Sequence, residues 1–386
     1  MLAKNKKKKI VFLTGTRADF GKTKSLISVV ANSRLFEPHI FVTGMHMSVK
    51  YGGTFNEVVR CGFPNIYKYI NGAESGAMDL TLSNTIHGFS QYVKIIKPDL
   101  IVLHGDRAEA LAGAIVGSLN NILTAHVEGG EVSGAVDEHM RHSISKMSHA
   151  HFVANTEARN RLIQMGENRG HIFVIGSPDL DVMASNTLPT LKEAKSYFEI
   201  PFEQFALAVY HPVSTEIGKL FEYAHNFVDA LVDSGHNYIV VYPNNDPGTD
   251  IILEAYKQKL FNNERFRVFP SVRFEHFLTF LKNSQFVIGN SSLGIHEAPF
   301  YGIPSLNVGD RQRSRWGKKP MPGLFHVSHS KKEILNLIEK IRRKKNRFKP
   351  VRRFGAGFSS KKFIDILKNK KFWQTEIQKQ FFDLDY

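Results

Sequence analysis

The sequence predicts an α/β protein with two parallel sheets, each covered by helices on both faces. Short apolar segments alternate with helical patterns along the 386 residues, an order typical of parallel α/β folds. The chain is too long for one typical hydrophobic core. A proline-containing stretch, residues 177–204, separates two series of strands. We therefore expect two Rossmann-like domains, with the ligand cleft between the two sheets.

Seven strands are predicted in the first domain and five in the second. The first series reads KKIVFLT, PHIFVTG, NIYKYI, DLIVLHG, ILTAHVE, HFVAN and HIFVIG. The second series reads FALAVYHP, NYIVVYP, FRVFP, QFVIGNSS and IPSLNVG. The segment from Phe354 to Leu384 reads as helical pieces rather than as another sheet layer.

Composition and charge narrow the class of protein. Hydrophobic residues make up 42% of the chain, as in ordinary globular proteins. No apolar run approaches the roughly 20 residues that span a bilayer, and no signal peptide is visible, so we expect a cytoplasmic protein without membrane contact.

The charge of +15 lies largely in lysine and arginine runs that no recognisable nucleic-acid module accompanies, which favours a solvated surface. Cys61 is the only cysteine, which excludes an intramolecular disulfide.

Two neighbouring predicted strands end in acidic residues. One ends at Glu128 and the other just before Asp106, and ligand sites of open α/β sheets lie beyond such strand ends. Asp137 and Glu138 follow in a segment that also contains Arg141. Carboxylates in a crevice that excludes water can have their pKa values pushed apart, which leaves one a base and another an acid. The alternative for Asp106 and Asp137 is a helix-capping role.

A strand-to-helix turn after the first strand is a candidate phosphate site. TGTRADFGK resembles a P-loop superficially, but Thr16 stands where that pattern requires glycine. We predict instead a tight turn that offers Arg17 and Lys22 to a diphosphate. A pure packing role for Gly15 and Gly21 is the alternative.

The second domain contains a similar turn in IGNSSLGIHE. Backbone N–H groups and the hydroxyls of Ser291 and Ser292 can cradle a phosphate there, and Glu297 is placed to accept from ribose hydroxyls. The arginine-rich loop 309–315 is predicted to close this pocket, with a solvated loop as the alternative. His211, at the end of FALAVY, is predicted to face the same cleft.

The remaining predicted substrate contacts come from both domains. They are His126, Arg141, Asn290, Gly294 and Arg311. A metal site is the competing interpretation of five histidines in the acidic segment, namely His126, His139, His142, His149 and His151. The neighbouring carboxylates are already used by proton transfer, so we expect neither a metal nor a cofactor.

Taken together, these motifs resemble the hydrolysing UDP-N-acetylglucosamine 2-epimerases of sialic-acid biosynthesis over nearly the whole chain. The matching segments are TGTRADFGK, VTGMH, YGGTF, HGDRAEAL, HVEGGEVSG, DEHMRHSISK, YHPVSTE, YPNNDPG, IGNSSLGIHEA and NVGDRQRSR. The resemblance implies a glycosyltransferase-B fold with domains at 1–185 and 186–358, and a helical segment, 359–386, that crosses back to the first domain. It also implies a homodimer or homotetramer that requires no metal.

The resemblance also implies roles for individual residues. The implied catalytic groups are Asp106, Glu128, Glu138 and His211. The implied nucleotide contacts are Arg17, Lys22, Ser291, Ser292 and Glu297. Asp137 departs from family members with another residue there, so the choice between Asp137 and Glu138 for the chemistry is open.

The implied reaction converts UDP-N-acetylglucosamine and water to N-acetylmannosamine and UDP through a 2-acetamidoglucal. The same reaction on UDP- or GDP-linked N,N′-diacetylbacillosamine, in legionaminic-acid biosynthesis, is the alternative within the family. A glycosyltransferase is the enzyme alternative outside it. A basic nucleic-acid-binding protein is the alternative from another class.

Overall fold

The chain forms two compact units, each with its own parallel sheet. The computed structural model describes residues 6–72, 77–133, 137–316, 321–343 and 347–383. The first unit comprises Met1–Glu131, Asp137–Asn186 and Arg353–Tyr386, and the second comprises Val132–Val136 and Thr187–Arg352. The first unit is therefore assembled from segments that are far apart in the sequence.

The first unit is built on a seven-stranded sheet. Its strands are β1 (Lys8–Thr14), β2 (Phe36–Val42), β3 (Ile66–Lys68), β4 (Leu100–His104), β5 (Thr124–Val127), β6 (Ala150–Val153) and β7 (Ile172–Val174). Their order across the sheet is β3-β2-β1-β4-β5-β6-β7, and the pairings are parallel. Because parallel strands end at the same edge, the carboxyl ends of β1, β4 and β5 lie side by side.

Helices connect these strands. They are α1 (Arg17–Ala31), α2 (Phe55–Arg60), α3 (Met78–Ile96), α4 (Ala108–Leu119), α5 (Asp137–Met147), α6 (Thr156–Gln164), α7 (Asp179–Met183) and, from the C-terminal segment, α14 (Ser359–Lys368). Short 3-10 helices occupy Gly44–Met47, Arg169–His171 and Lys370–Gln374. Helix α14 packs against α1 and α7.

The second unit is built on a six-stranded sheet. Its strands are β8 (Ala206–Val209), β9 (Tyr238–Val241), β10 (Phe266–Phe269), β11 (Val287–Gly289), β12 (Ser305–Val308) and β13 (Leu324–Val327). They lie in the parallel order β10-β9-β8-β11-β12-β13. The sequence prediction of five strands is wrong by one: β13 is an edge strand, and the exposed His326 interrupts its short apolar pattern.

Helices also cover the second sheet. They are α8 (Leu191–Tyr197), α9 (Leu220–Asp233), α10 (Thr249–Lys259), α11 (Phe274–Asn283), α12 (Glu297–Phe300) and α13 (Lys331–Arg342). The 3-10 helices are Ser214–Lys219, Ser292–Gly294 and Arg313–Trp316. No helix in the described parts of the chain is both long and apolar enough to cross a membrane.

Central strands are apolar on both faces because helices bury both. In β1, Ile10 and Phe12 belong to one core of the first unit, whereas Val11 and Leu13 belong to the other. This burial explains why the strands read as continuous hydrophobic runs rather than as alternating patterns. The predicted fold class, an α/β protein with two parallel sheets, is confirmed.

Candidate active site

Glu128 directly follows β5 in a backbone conformation unusual for a residue with a side chain. Its φ angle is +62°, in the left-handed region that residues other than glycine enter at a cost. The residue is only 3% exposed. Its carboxylate accepts a hydrogen bond from the Ser177 hydroxyl, and Oε2 lies 3.1 Å from His104 Nε2 and 3.4 Å from Lys22 Nζ. A buried carboxylate is thus fixed by three donors at the strand end.

His104, the last residue of β4, lies between two carboxylates. Its Nε2 faces Glu128, and its Nδ1 lies 3.3 Å from Asp19 Oδ1 on α1. Burial alone would lower the pKa of this imidazole, but the two carboxylates outweigh burial and raise the pKa to about 9. The same pairing lowers the pKa of Asp19 against the opposing effect of burial. At neutral pH the ring is therefore an imidazolium that donates to both acids.

Arg141 of α5 joins the ends of β4 and β5. Its Nη2 donates to Asp106 Oδ2, and its Nη1 donates to the backbone carbonyl of Glu128 at 2.6 Å. Burial opposes the charge of this guanidinium, but Asp106 and the other acids around it raise its pKa. Asp106 does not cap α4, whose N-cap is Arg107. One buried cation therefore brings together the two strand ends that the sequence singled out.

The two consecutive acids at the start of α5 have different surroundings. Asp137 is only 7% exposed, and its charge adds to the raised pKa of Arg141. The Glu138 side chain is 31% exposed, and its Oε1 lies 3.7 Å from His142 Nε2 on the same helix. Of the two, Asp137 is the acid that shares the electrostatic environment of Arg141 and Asp106.

His126, predicted to touch substrate, is enclosed by protein groups. Its Nε2 lies 2.7 Å from the Gly105 carbonyl and its Nδ1 lies 2.9 Å from the Ser145 hydroxyl. Burial lowers its pKa well below the usual value, so the ring is neutral, donates from Nε2 and accepts at Nδ1. We infer that His126 holds the turn that precedes Asp106, because both ring nitrogens already have protein partners.

A C-terminal segment fastens the helix that carries these acids. Lys379 Nζ donates to the carbonyls of Ser145, Lys146 and Ser148, at 3.1, 2.7 and 2.7 Å. These carbonyls lie at the C-terminal end of α5, where a positive charge stabilises a helix. The position of Arg141 on α5 therefore depends on a residue more than two hundred positions away in the chain.

The turn between β1 and α1 is the tight strand-to-helix turn that the sequence predicts. Thr16 is the N-cap of α1, and its side chain accepts from the backbone N–H of Asp19 at 3.1 Å. Arg17 is the first helical residue and its side chain is half-buried. Lys22 lies one turn further along α1, within 3.9 Å of Asp179 Oδ2 as well as near Glu128. The structure thus places the Lys22 ammonium between two carboxyl groups.

In the second unit, His211 lies just beyond β8 with a defined protonation pattern. Its Nδ1 accepts from the backbone N–H of Asn244 at 3.0 Å, so the neutral ring carries its proton on Nε2. The Asn290 side chain accepts from the His211 N–H at 2.7 Å and donates to the His211 carbonyl at 2.8 Å. A Cβ at Gly289, whose φ is +138°, would overlap the Val209 carbonyl. The bond from Asn244 therefore makes the Nε2–H of His211 a hydrogen-bond donor, and the close approach of β11 to β8 places Asn290 against the His211 backbone.

The turn after β11 presents small polar residues at the carboxyl end of the strand. Ser291 N-caps the 3-10 helix 292–294, and its hydroxyl accepts from the Leu293 N–H at 3.4 Å. Ser292 is half-buried, and Glu297 is buried at the start of α12. A Cβ at Gly294 would overlap the Ser305 hydroxyl on β12, so glycine is needed there for packing.

The arginine-rich loop after β12 returns to the same turn. Arg311 Nη1 and Gln312 Nε2 donate to the Asn290 carbonyl at 3.3 and 2.9 Å, and Arg315 Nη1 donates to Gln312 Oε1 at 2.8 Å. The Arg313 side chain is 74% exposed. The solvated-loop interpretation therefore fits Arg313, whereas Arg311 and Arg315 are held by an ordered hydrogen-bond network.

The family profile described as UDP-N-acetylglucosamine 2-epimerase matches residues 29–368. The chain belongs to the UDP-N-acetylglucosamine 2-epimerase family. The resemblance drawn from the sequence motifs is thereby confirmed, and the protein is an epimerase.

Relatives of this epimerase cover most of its length. It is 45% identical over 381 residues to the UDP-N-acetylglucosamine 2-epimerase of Neisseria meningitidis serogroup B, which spans 98% of this chain and 100% of the relative. It is 35% identical over 314 residues to the hydrolysing UDP-N,N′-diacetylbacillosamine 2-epimerase of Legionella pneumophila, spanning 80% of this chain and 82% of that one.

A solved structure supports the fold. UDP-GlcNAc 2-epimerase from Methanocaldococcus jannaschii, in complex with UDP-GlcNAc and UDP, matches with a TM-score of 0.77 and 23% identity over 93% of this chain and 99% of that one. At this identity the likeness shows the fold alone. The predicted pair of Rossmann-like domains of glycosyltransferase-B type agrees with it.

Histidines considered for a metal site have protein partners in this epimerase. His151 Nε2 lies 2.9 Å from Glu167 Oε2, and His149 lies between the Thr124 N–H and the Ile377 carbonyl. Within the described ranges, no group of three histidine, cysteine or acidic side chains is arranged to hold a metal ion. The imidazoles of His126, His149 and His151 therefore serve the packing of the first unit.

Sequence reasoning missed four polar residues that lie around Glu128 and its partner His104 in the epimerase. They are Asp19, His104, Ser177 and Asp179. Asp19 and His104 stand inside quoted motifs, so their position next to a strand end was a usable signal. Ser177 and Asp179 lie in residues 177–204, which the sequence predicts to be an interdomain connection.

Proposed function

We propose that this epimerase converts UDP-N-acetylglucosamine and water to N-acetylmannosamine and UDP. The observation that carries the proposal is the Arg141 bridge, which holds the Asp106 carboxylate and the Glu128 backbone at adjacent strand ends. The 45% identity to a relative named for this substrate supports the choice of sugar nucleotide.

The chemistry needs groups that take and return a proton at C2 of the sugar. One carboxylate removes the C2 proton as UDP leaves from C1, which gives a 2-acetamidoglucal. Water then adds at C1, and C2 is protonated from the opposite face. Asp106 and Glu128 suit these transfers because each carboxylate is held in a fixed position, the first by Arg141 and the second by His104 and Lys22.

Of Asp137 and Glu138, we assign Asp137 as the third catalytic acid, beside Asp106 and Glu128. It is buried and shares the field of Arg141 with Asp106, whereas Glu138 lies on the helix surface beside His142. We expect Asp137→Asn to lower kcat by at least about tenfold, as loss of a proton-transfer group does. Glu138→Gln, one position away on the same helix, is the matched control and should stay within about twofold. Equal losses in both variants would contradict the assignment.

The second unit supplies the groups for the nucleotide. The developing charge of the leaving diphosphate is stabilised by hydrogen-bond donors, and the neutral His211 ring offers its Nε2–H. The Ser291 and Ser292 hydroxyls and Arg311 complete this set of donors, and Glu297 is placed to accept from the ribose hydroxyls. The family resemblance further supports a cytoplasmic location and a homodimer or homotetramer. Light scattering would measure the oligomeric state.

A second candidate substrate is UDP- or GDP-linked N,N′-diacetylbacillosamine. It is supported by the 35% identity to the hydrolysing diacetylbacillosamine epimerase of Legionella pneumophila. Separate incubations with the three sugar nucleotides, each followed by NMR of the products, compare the substrates directly. The preferred substrate is the one with the highest kcat/KM, and preference for a diacetylbacillosamine nucleotide would replace the first proposal.

Isotopes test the mechanism independently of the residues. In D₂O, elimination followed by hydration gives N-acetylmannosamine with deuterium at C2, whereas simple hydrolysis gives N-acetylglucosamine with its original proton. In ¹⁸O-water, cleavage of the C1–O bond labels the sugar, and attack at phosphorus labels UDP. Protium retained at C2 or label in UDP would contradict the mechanism, and absence of free sugar without an acceptor would indicate a glycosyltransferase.

A further inference from the structure

Asp179 is a buried acid beside Glu128 that the proposed reaction has not yet used. It is 1% exposed, and among the described residues neither carboxyl oxygen has a hydrogen-bond donor. Burying a carboxylate without such donors is unfavourable. The residues around Asp179 must therefore account for the presence of a buried carboxyl group at this position.

The neighbours of Asp179 are the partners of Glu128. Lys22 Nζ lies 3.9 Å from Asp179 Oδ2 and 3.4 Å from Glu128 Oε2, so both carboxyl groups face one ammonium. Ser177, two residues before Asp179, donates to Glu128. His104, at the end of β4, is the other titratable group that faces Asp179 and Glu128.

The balance of charges around Asp179 favours a state in which one of the buried carboxyl groups keeps its proton. Lys22 and the His104 imidazolium carry two positive charges, which the Asp19 and Glu128 carboxylates balance. A third ionised carboxylate would exceed the positive charge of these two partners in a site away from water. Accordingly, burial raises the pKa of Asp179 and the Glu128 charge adds to this effect, against the opposing influence of Lys22, Ser177 and His104.

We propose that Asp179 is a positioning residue for Glu128, and that the two carboxyl groups hold one proton between them beside Lys22. Carboxyl pairs that share a proton and a site bind that proton more tightly than either group alone. Without Asp179, Lys22 and His104 would hold Glu128 ionised and make it a weaker base. The pairing thus keeps Glu128 able to accept and return a proton near neutral pH.

The test compares Asp179→Asn, Asp179→Glu and wild-type enzyme in kcat, KM and UDP affinity between pH 5 and 10. This arm rests on the proposed function. Asp179→Asn should lower kcat at neutral pH by at least about tenfold, with KM and UDP affinity within about twofold. The kcat limb that reports Glu128 should move to lower pH, because the variant lacks the second carboxyl group with which Glu128 shares the proton, while Lys22 and His104 still favour ionised Glu128. Asp179→Glu should restore part of the loss.

Asp181 provides the matched control on the same short helix. Its carboxylate accepts from the backbone N–H groups of Ser359 and Ser360 at 2.7 and 2.6 Å. Asp181→Asn should lower the melting temperature and leave the pH midpoints of kcat unchanged. If Asp179→Asn behaves like this control, or if its pH profile superimposes on that of the wild type, the proposal is wrong.

Infrared spectroscopy tests the shared proton without any turnover. The wild-type protein at pH 7 should show a protonated carboxyl band that Asp179→Asn lacks, and an unchanged band would overturn the proposal. The infrared band also separates the proposal for Asp179 from the proposed enzymatic function. Wild-type protein that is inactive on UDP-N-acetylglucosamine would contradict the proposed function, whereas the infrared band would still decide the state of Asp179.

Discussion

The His104 imidazolium makes the stability of the first unit depend on pH in a defined direction. Its pKa rises from the ordinary value of 6.5 to about 9 in the folded protein. A group whose pKa is raised by folding contributes stability that is complete below the unfolded pKa, here 6.5. That contribution is lost as the pH rises through the folded pKa, here about 9.

The magnitude follows from the size of the shift. Each pKa unit corresponds to about 1.4 kcal/mol of differential interaction between the protonation states, so the full contribution is on the order of 3 kcal/mol. Domains are typically stable by about 5–15 kcal/mol, so a loss of this size is measurable. We therefore expect the free energy of unfolding of the first unit to fall by about 3 kcal/mol between pH 6 and pH 10 through this group.

Fluorescence can follow the first unit alone. The chain has two tryptophans, and Trp373 stacks on Phe36 in the first unit with ring centroids 5.9 Å apart. In a Trp316→Phe background, urea unfolding monitored through Trp373 reports that unit at each pH. The same series in a background with His104→Gln isolates the contribution of the histidine from that of every other titrating group.

Comparing the unfolding free energies of the His104 and His104→Gln proteins at each pH tests whether His104 stabilises the first unit in this way. The unfolding free energy of the protein with His104 should fall more steeply with pH than that of the glutamine variant, and the two curves should converge near pH 10. Parallel curves between pH 6 and pH 10 would refute the pairing of His104 with Asp19 and Glu128.

Three further predictions concern cations and hydrogen bonds. Arg17→Ala should weaken UDP binding by roughly 1–3 kcal/mol through loss of a charge-assisted contact; unaltered affinity in calorimetry would place the diphosphate elsewhere. Arg141→Lys should lower kcat by at least about tenfold with little effect on UDP affinity, because one ammonium cannot hold both Asp106 and the Glu128 carbonyl; wild-type turnover would exclude the bridging role. Asn290→Ala should cost the protein about 1–3 kcal/mol of stability, since it removes both hydrogen bonds to the His211 backbone; denaturation curves that coincide with those of the wild type would count against it.

The sequence predicts the strands and the edge where the acids meet, for a clear physical reason. Strands buried on both faces read as apolar runs, and parallel strands end at one edge. The proximity of Asp106 to the end of β5 follows from these two facts alone. The edge strand β13 escapes the same reasoning because it is only partly buried.

Pairings between distant residues are the part that the sequence does not reveal. Lys22 and Glu128 are 106 positions apart, and His104 and Asp19 are 85 positions apart. The order of residues also leaves open which of Asp137 and Glu138 is buried, since adjacent helical positions point about 100° apart and the orientation of α5 is set by tertiary packing. Side chains whose partners lie on other elements become interpretable only when the topology is known.

The discontinuous first unit has a consequence for the order in which the protein matures during synthesis. Phe363 and Phe372, from the segment that follows the second unit, pack on Phe152 with ring centroids 4.7 and 6.0 Å away. Lys379 then binds the carbonyl end of α5. Nearly all of the second unit is one continuous stretch, Thr187–Arg352, so its folding needs nothing from the later segment that completes the first unit. The helix that carries Arg141 therefore reaches its final anchorage last, and nascent chains that stop before Lys379 should contain a folded second unit and an unfinished proton-transfer site.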